Sequence, residues 1–201
     1  MKIKILSLVF TLFLLGSMCF SIDVYLGITQ GFNIGMQYKA NTFLDRYGAM
    51  VGFNGGLQAN VSITNLIGIE ADVLVSIRGG RMHDSDEDLN IRLTYIDLPV
   101  LFKLSKNVGW CILQLNAGAQ LSFNLKGYYL YEDNGTNDMM EELDTRVVDI
   151  GPVIGAGIVI PVKKYYFSFE LRNSIGLLYT FDDYTNRNVQ ISFLFSYGFK
   201  L

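Results

Sequence analysis

Cysteine is nearly absent from this 201-residue chain, which has two, Cys19 and Cys111. Cys19 falls in an N-terminal stretch that reads as a removable leader. That leaves Cys111 alone, which excludes an internal disulfide and a cysteine metal site. Histidine occurs once, as His83, and proline three times. Charged residues make up 17% of the chain, and the formal charge is −3. No basic run interrupts this sparse charge, so the footprint of a nucleic-acid binder is missing. Beyond residues 5–15 no apolar run approaches the roughly 20 residues that a membrane-spanning helix needs.

The first residues carry a targeting pattern. Lys2 and Lys4 precede the apolar run 5–15, and Gly16, Ser17 and Ser21 follow as small residues. This is the build of a secretory signal peptide over residues 1–21, leaving a domain over 22–201. Lipidation of Cys19 is the rival reading, weakened by Met18 where a small residue is preferred.

What the chain has instead is glycine, at 20 residues, aromatic side chains at 13%, and a period of two. The last eleven residues set the pattern. Ile191, Phe193, Phe195, Tyr197, Phe199 and Leu201 alternate with Ser192, Leu194, Ser196, Gly198 and Lys200. Only Leu194 departs from a strand with one apolar and one wet face. Eight such stretches are expected, over residues 24–38, 49–63, 66–78, 91–104, 110–126, 147–160, 165–179 and 189–201. In the fifth, Leu113, Leu115, Ala117, Ala119, Leu121, Phe123 and Leu125 oppose Gln114, Asn116, Gly118, Gln120, Ser122, Asn124 and Lys126.

A soluble barrel also alternates, so composition must decide. The apolar faces run for five to seven side chains, about what a tilted strand needs to cross a bilayer. The polar faces are rich in Gly, Ser, Asn and Gln, which fill a narrow lumen well and serve poorly as a solvated exterior. The expected fold is therefore all-β: an eight-stranded antiparallel up-and-down transmembrane β-barrel in a bacterial outer membrane. Short connections near residues 64–65, 105–109 and 161–164 alternate with longer ones at 40–48, 79–90, 127–146 and 180–188. Short periplasmic turns facing four longer extracellular loops are the rule for such barrels. Tyr38, Tyr47, Tyr128, Tyr129, Tyr131, Tyr179 and Tyr184 gather toward the long-loop end, and Trp110, Tyr165 and Phe199 toward the other, as interfacial girdles do.

The inward phase carries Glu70, Asp72, Arg78, Asp97, Lys103, Asp149, Glu170 and Arg172. Eight strands leave room only for side chains inside, and unpaired charge there is costly. These residues are expected to form a lumenal charge network that plugs the barrel, with no open pore. Thirteen of the 19 carboxylates fall in the expected loops. The third loop adds Tyr128, Tyr129, Tyr131, Met139 and Met140, the residue types of a contact surface. The run Asp84-Ser85-Asp86-Glu87-Asp88 has oxygen ligands for a hard cation but not the spacing of an EF-hand. His83-Asp84 suggests an acid–base pair, yet no nucleophile, base and orienting group are recognisable together. No catalytic residue, metal or cofactor is expected.

Tyr95-Ile96-Asp97-Leu98-Pro99-Val100-Leu101-Phe102-Lys103 resembles the Y-x-[DE]-[IL]-P-[LV]-L-x-K stretch of the PorT-like outer-membrane β-barrel domain family. Asp149-Ile150-Gly151-Pro152-Val153-Ile154-Gly155-Ala156-Gly157 is similar to its D-x-G-x-x-x-G-A-G strand. Leu171-Arg172-Asn173-Ser174-Ile175-Gly176-Leu177 resembles its x-R-Y-S-x-G-L strand, with Asn173 in place of the usual aromatic. The resemblance runs in order along the domain and implies a small barrel without implying an activity. Three readings stay open. The first is a closed barrel with a structural, adhesive or partner-binding role through acidic extracellular loops. The others are a membrane-embedded enzyme at the loop side and a soluble periplasmic lipocalin-like barrel. For the first, the expected partners are outer-membrane lipid, the barrel-assembly machinery through the C-terminal strand, and an extracellular protein or surface partner.

Overall fold

The structure, a computed structural model, describes residues 22–39, 47–84, 87–133, 136–142, 147–178 and 186–201. The expected leader therefore lies outside the described residues, as do Ser85, Asp86, Tyr179 and Tyr184. The strands are β1 (Asp23–Lys39), β2 (Tyr47–Ser62), β3 (Ile67–Asp84), β4 (Glu87–Asn107), β5 (Ile112–Asp133), β6 (Thr136–Glu142), β7 (Val148–Val162), β8 (Tyr165–Ile175) and β9 (Asn186–Lys200). Eight of them close a ring in the order β1-β2-β3-β4-β5-β7-β8-β9, with β9 back on β1 and every pair antiparallel. All eight expected stretches are staves of this ring.

Closure removes the free sheet edge that a bilayer cannot tolerate. Side chains then alternate between lipid and lumen, except where a bulge intervenes. Along β3, Ile69, Val73 and Val75 are exposed while Glu70, Asp72, Leu74, Ser76 and Arg78 are buried. Phe32, Phe53, Phe102, Leu115, Ile154, Phe169 and Phe193 continue the apolar exterior around the ring. Phe32 stacks on Phe193 at 4.9 Å where β1 meets β9. At the end that carries Ile22 and Leu201, Trp110 and Phe199 are exposed and Tyr165 stacks on Tyr197 at 5.8 Å. The turns are short at this end: two residues, Lys163 and Lys164, separate β7 from β8.

Three expectations need correcting. Stretches 79–90 and 127–146 are not plain loops. Strand β3 runs on to Asp84 and pairs with β4 from Glu87, and β5 runs on to Asp133 with β6 folded back on it. The ladder prolongs itself because Leu89, Ile91, Tyr128 and Tyr129 keep a strand-forming composition beyond the bilayer. Asp84, Glu87, Asp88, Glu132, Asp133, Asp138, Glu141 and Glu142 accordingly stand on strands. Second, Lys126 does not face the lumen. A bulge between Thr94 and Tyr95 inserts one residue on β5, so the phase flips and Lys126 is exposed. Third, the lumen is not wholly polar, since Leu74, Ile91, Leu93, Leu101 and Leu194 are buried inside it. Leu194, the one break in the C-terminal alternation, thus keeps its strand phase.

Candidate functional site

The lumen is crossed by side chains at two levels. The lower level is built on Arg172 of β8. Its Nη2 donates to Glu70 Oε1 at 2.6 Å and its Nη1 to Asp72 Oδ2 at 2.7 Å. Its Nε and Nη2 also hold Glu170, two residues away on the same face of β8, at 2.7 and 3.1 Å. β3 and β8 are opposite staves, four places apart in either direction around the ring. The guanidinium therefore spans the barrel. Lys103 of β4 completes the group, donating to Glu70 Oε2 at 2.5 Å and Asn60 Oδ1 at 2.8 Å. Glu70 is fully buried, and the Arg172 side chain is only 4% exposed. Fork geometry explains the choice of Arg at this point, because one planar cation serves three carboxylates along different directions.

The upper level is built on Arg78 of β3. Its Nη2 pairs with Asp97 Oδ1 at 3.1 Å, its Nη1 donates to Gln190 Oε1 at 2.9 Å, and its Cζ lies 3.9 Å above the Tyr95 ring. Ser76 donates its hydroxyl to Asp97 Oδ2. From Gln190 the bonds continue to Asn54 at 3.0 Å, and from Asn54 to Ser192 at 2.9 Å. Asn33 joins through Asn54 Oδ1 at 2.7 Å. Asn188 of β9 reaches Tyr95 of β4 at 3.1 Å, a second crossing between opposite staves.

Of the eight lumenal residues expected from the sequence, Glu70, Asp72, Lys103, Glu170 and Arg172 meet in one cluster, and Arg78 and Asp97 in another. Asp149 has a separate task. It accepts the backbone N–H of Leu178 at 3.1 Å and packs against Gly176, beyond the end of β8. Asn33, Asn54, Asn60, Tyr95 and Gln190 were missed, although their inward phase and polar side chains were legible from the alternation of the first, second, fourth and last strands; Asn188, in the stretch 180–188 expected as loop, belongs to β9.

The residues expected as a contact surface stand on the projecting ladder. Tyr128, Tyr129 and Tyr131 belong to the outer part of β5, with Ile91 opposite Tyr129 and Leu89 opposite Tyr131 on β4. On the other side the register sets Met139 opposite Tyr131 and Met140 opposite Leu130. His83 stands on β3 opposite Asp88, and Asp84 opposite Glu87.

Known proteins give this architecture a context. The outer membrane protein OprG from Pseudomonas aeruginosa shares the fold with a TM-score of 0.52 and 8% identity, over 89% of this chain and 96% of that one. Neisserial surface protein A (NspA) gives 0.48 and 12%, over 86% and 95%. Ail, the attachment invasion locus protein of Yersinia pestis, gives 0.46 and 15%, over 89% and 99%. No curated protein sequence matches the chain. The family model described as outer membrane protein beta-barrel domain matches residues 19–182, most of the chain. A closed β-barrel with an apolar exterior agrees with that description. The chain belongs to the outer membrane protein beta-barrel domain family.

Proposed function

We propose that this protein is a closed, non-conducting outer-membrane barrel that acts as a structural and partner-binding surface, its contacts made by the acidic ladder projecting beyond the bilayer. The observation that carries the closed reading is the Arg172 bridge to Glu70 and Asp72 across the full width of the lumen. An ion entering from either side meets paired charges whose separation is costly. The partner reading rests on the extension of β3, β4, β5 and β6, whose strands carry Asp84, Glu87, Asp88, Glu132, Asp133, Asp138, Glu141 and Glu142 together with Tyr129, Tyr131, Met139 and Met140. A partner bearing basic groups suits it, and its rim charges would speed encounter more than they hold the complex.

Three further assignments complete the proposal. Residues 1–21 act as the signal peptide that delivers the chain to the periplasm. The C-terminal strand, ending Phe199-Lys200-Leu201, is what the barrel-assembly machinery engages. Among outer-membrane barrel families, the PorT-like branch fits best. Tyr95, Asp97, Leu101 and Lys103 of the resembling stretch all sit in the lumen and take part in its filling.

Planar-bilayer recording of the purified protein tests the closed reading, with absence of porin-sized steps expected. Regular steps of that size would overturn it. His83→Ala tests the enzymatic alternative: with the barrel intact by heat-modifiability on a gel, an unchanged cellular phenotype removes the only histidine base such an enzyme would have.

A further inference from the structure

The periplasmic mouth holds a chamber that the closed-barrel reading does not use. It occupies about 340 Å³ inside the ring and opens between the short turns, with Asp23, Ser62, Asn107 and Lys163 at its rim. Its inner end is closed by Lys103 and the cluster behind it. Gln58, Asn60, Tyr166 and Ser168 form its walls, all buried. The size is that of a small-molecule site.

The hydrogen bonds in its lining decide what it would hold. Gln58 Oε1 accepts from the Tyr166 hydroxyl at 2.8 Å, and Asn60 Oδ1 accepts from Lys103 at 2.8 Å. Both oxygens of Glu70 are taken, by Lys103 and Arg172. Two donors of the lining remain for a ligand, the Gln58 amide nitrogen and the third N–H of the Lys103 ammonium, which makes two of the three bonds it is capable of. The one carboxylate of the lining, Asp23, stands at the rim.

The charges agree. Lys103 and Lys163 line the chamber against Asp23, which is itself held by Lys200 at 2.7 Å. Lys164 stands on the adjoining turn between β7 and β8. Behind the floor, Glu70, Asp72 and Glu170 outnumber Arg172 and Lys103 by one. Of that cluster only Lys103 lines the chamber, so its ammonium is the charge a bound molecule meets first.

We propose that this chamber binds a small oxyanion, a carboxylate or phosphate group presented from the periplasm, on Lys103 and Gln58. The test is a ¹⁵N NMR titration of the refolded barrel in detergent micelles. Inorganic phosphate, N-acetyl-dialanine and the uncharged amide of that dipeptide are the probes. Saturable shifts confined to the chamber residues are expected with at least one anion and none with the amide. Response to phosphate alone or to the dipeptide alone identifies the class, and response to both identifies the shared oxyanion chemistry. Lys103→Met should weaken binding about tenfold or more, as loss of a charge-assisted hydrogen bond does. Ser168→Met, which fills the chamber, should abolish it; should either variant fail to show heat-modifiability, Gln58→Leu replaces it and is expected to weaken binding. No saturable shift at millimolar anion, an equal response to the amide, or unchanged affinity in a folded variant would overturn the proposal.

Discussion

Replacing Arg172 with methionine isolates the plug, because the side chain keeps an unbranched apolar stem and loses the guanidinium with its charge. Four hydrogen bonds disappear, at 2.6, 2.7, 2.7 and 3.1 Å. Glu70 keeps Lys103. Asp72 loses the only bond of Oδ2 while Oδ1 is already without a partner, and Glu170 loses its guanidinium. Breaking one buried pair by removal of a partner costs about 3–5 kcal/mol. The expected loss lies at the upper part of that range, because two carboxylates are stranded rather than one. Exposed pairs behave differently. Asp23 and Lys200 are also 2.7 Å apart but stand at the solvent-accessible mouth, so Asp23→Asn should leave the stability unchanged within error.

The assay is a urea titration of the barrel in phospholipid vesicles, followed by the fluorescence of Trp110, the only tryptophan. Its exposed place on the turn before β5 moves from membrane interface to water on unfolding. The control that gives the number its meaning is the triple variant Arg172→Met, Asp72→Asn, Glu170→Gln. Neutralising the stranded carboxylates should return most of the lost stability, since an uncharged replacement of a buried ion cluster is often neutral or better. A loss below about 1 kcal/mol for Arg172→Met would place the cluster in the range of exposed pairs and refute the reasoning. So would a triple variant less stable than the single one.

Two smaller perturbations probe the walls. At Gly31, whose added Cβ would lie 2.0 Å from the Phe193 carbonyl oxygen, Ala should force β1 from β9 and cost about 1–3 kcal/mol by the same titration; an unchanged midpoint would show that the seam yields freely. Val73, exposed midway along β3, faces the bilayer centre, and Val73→Arg should cost about 2–4 kcal/mol in vesicles, whereas a negligible change would argue that this face does not meet lipid.

Alternation made the staves legible, and with them the division into lipid-facing and lumenal sets. Ile69, Val73 and Leu115 could be assigned from the sequence because a period of two leaves no other phase once one face is apolar. The flip at Lys126 could not be read. It depends on a bulge between two strands, and a bulge belongs to the pairing rather than to either sequence. The same holds for the prolonged ladder of β3 to β6. Its acidic residues look like loop in one strand and become strand only when a neighbour of matching length lies beside them. The pairing of Arg172 with Glu70 and Asp72 joins residues 100 or more positions apart. It follows from the order and stagger of eight staves, which local spacing does not contain.

The family-like stretches are clearer once their phase is known. Tyr95, Asp97, Leu101 and Lys103 face the lumen in one stretch, Asp149 and Val153 in the second, and Arg172 and Ser174 in the third. Each supplies a partner to a bond or packs against one: Tyr95 beneath Arg78, Lys103 on Glu70, Arg172 across to β3, Asp149 on Gly176. Motifs of this kind describe how a narrow barrel neutralises its interior. They carry little about what the molecule meets outside, because the lipid-facing surface is built from the other phase and the proposed partner surface from the projecting ladder. A barrel could therefore keep all three stretches and exchange its partner entirely by changing residues between Met82 and Asn90 or between Tyr128 and Glu142. The activity is illegible in the motifs for that physical reason, and under the functions proposed above the projecting ladder and the chamber at the short-turn end are the two places where substitution should change function without changing the fold.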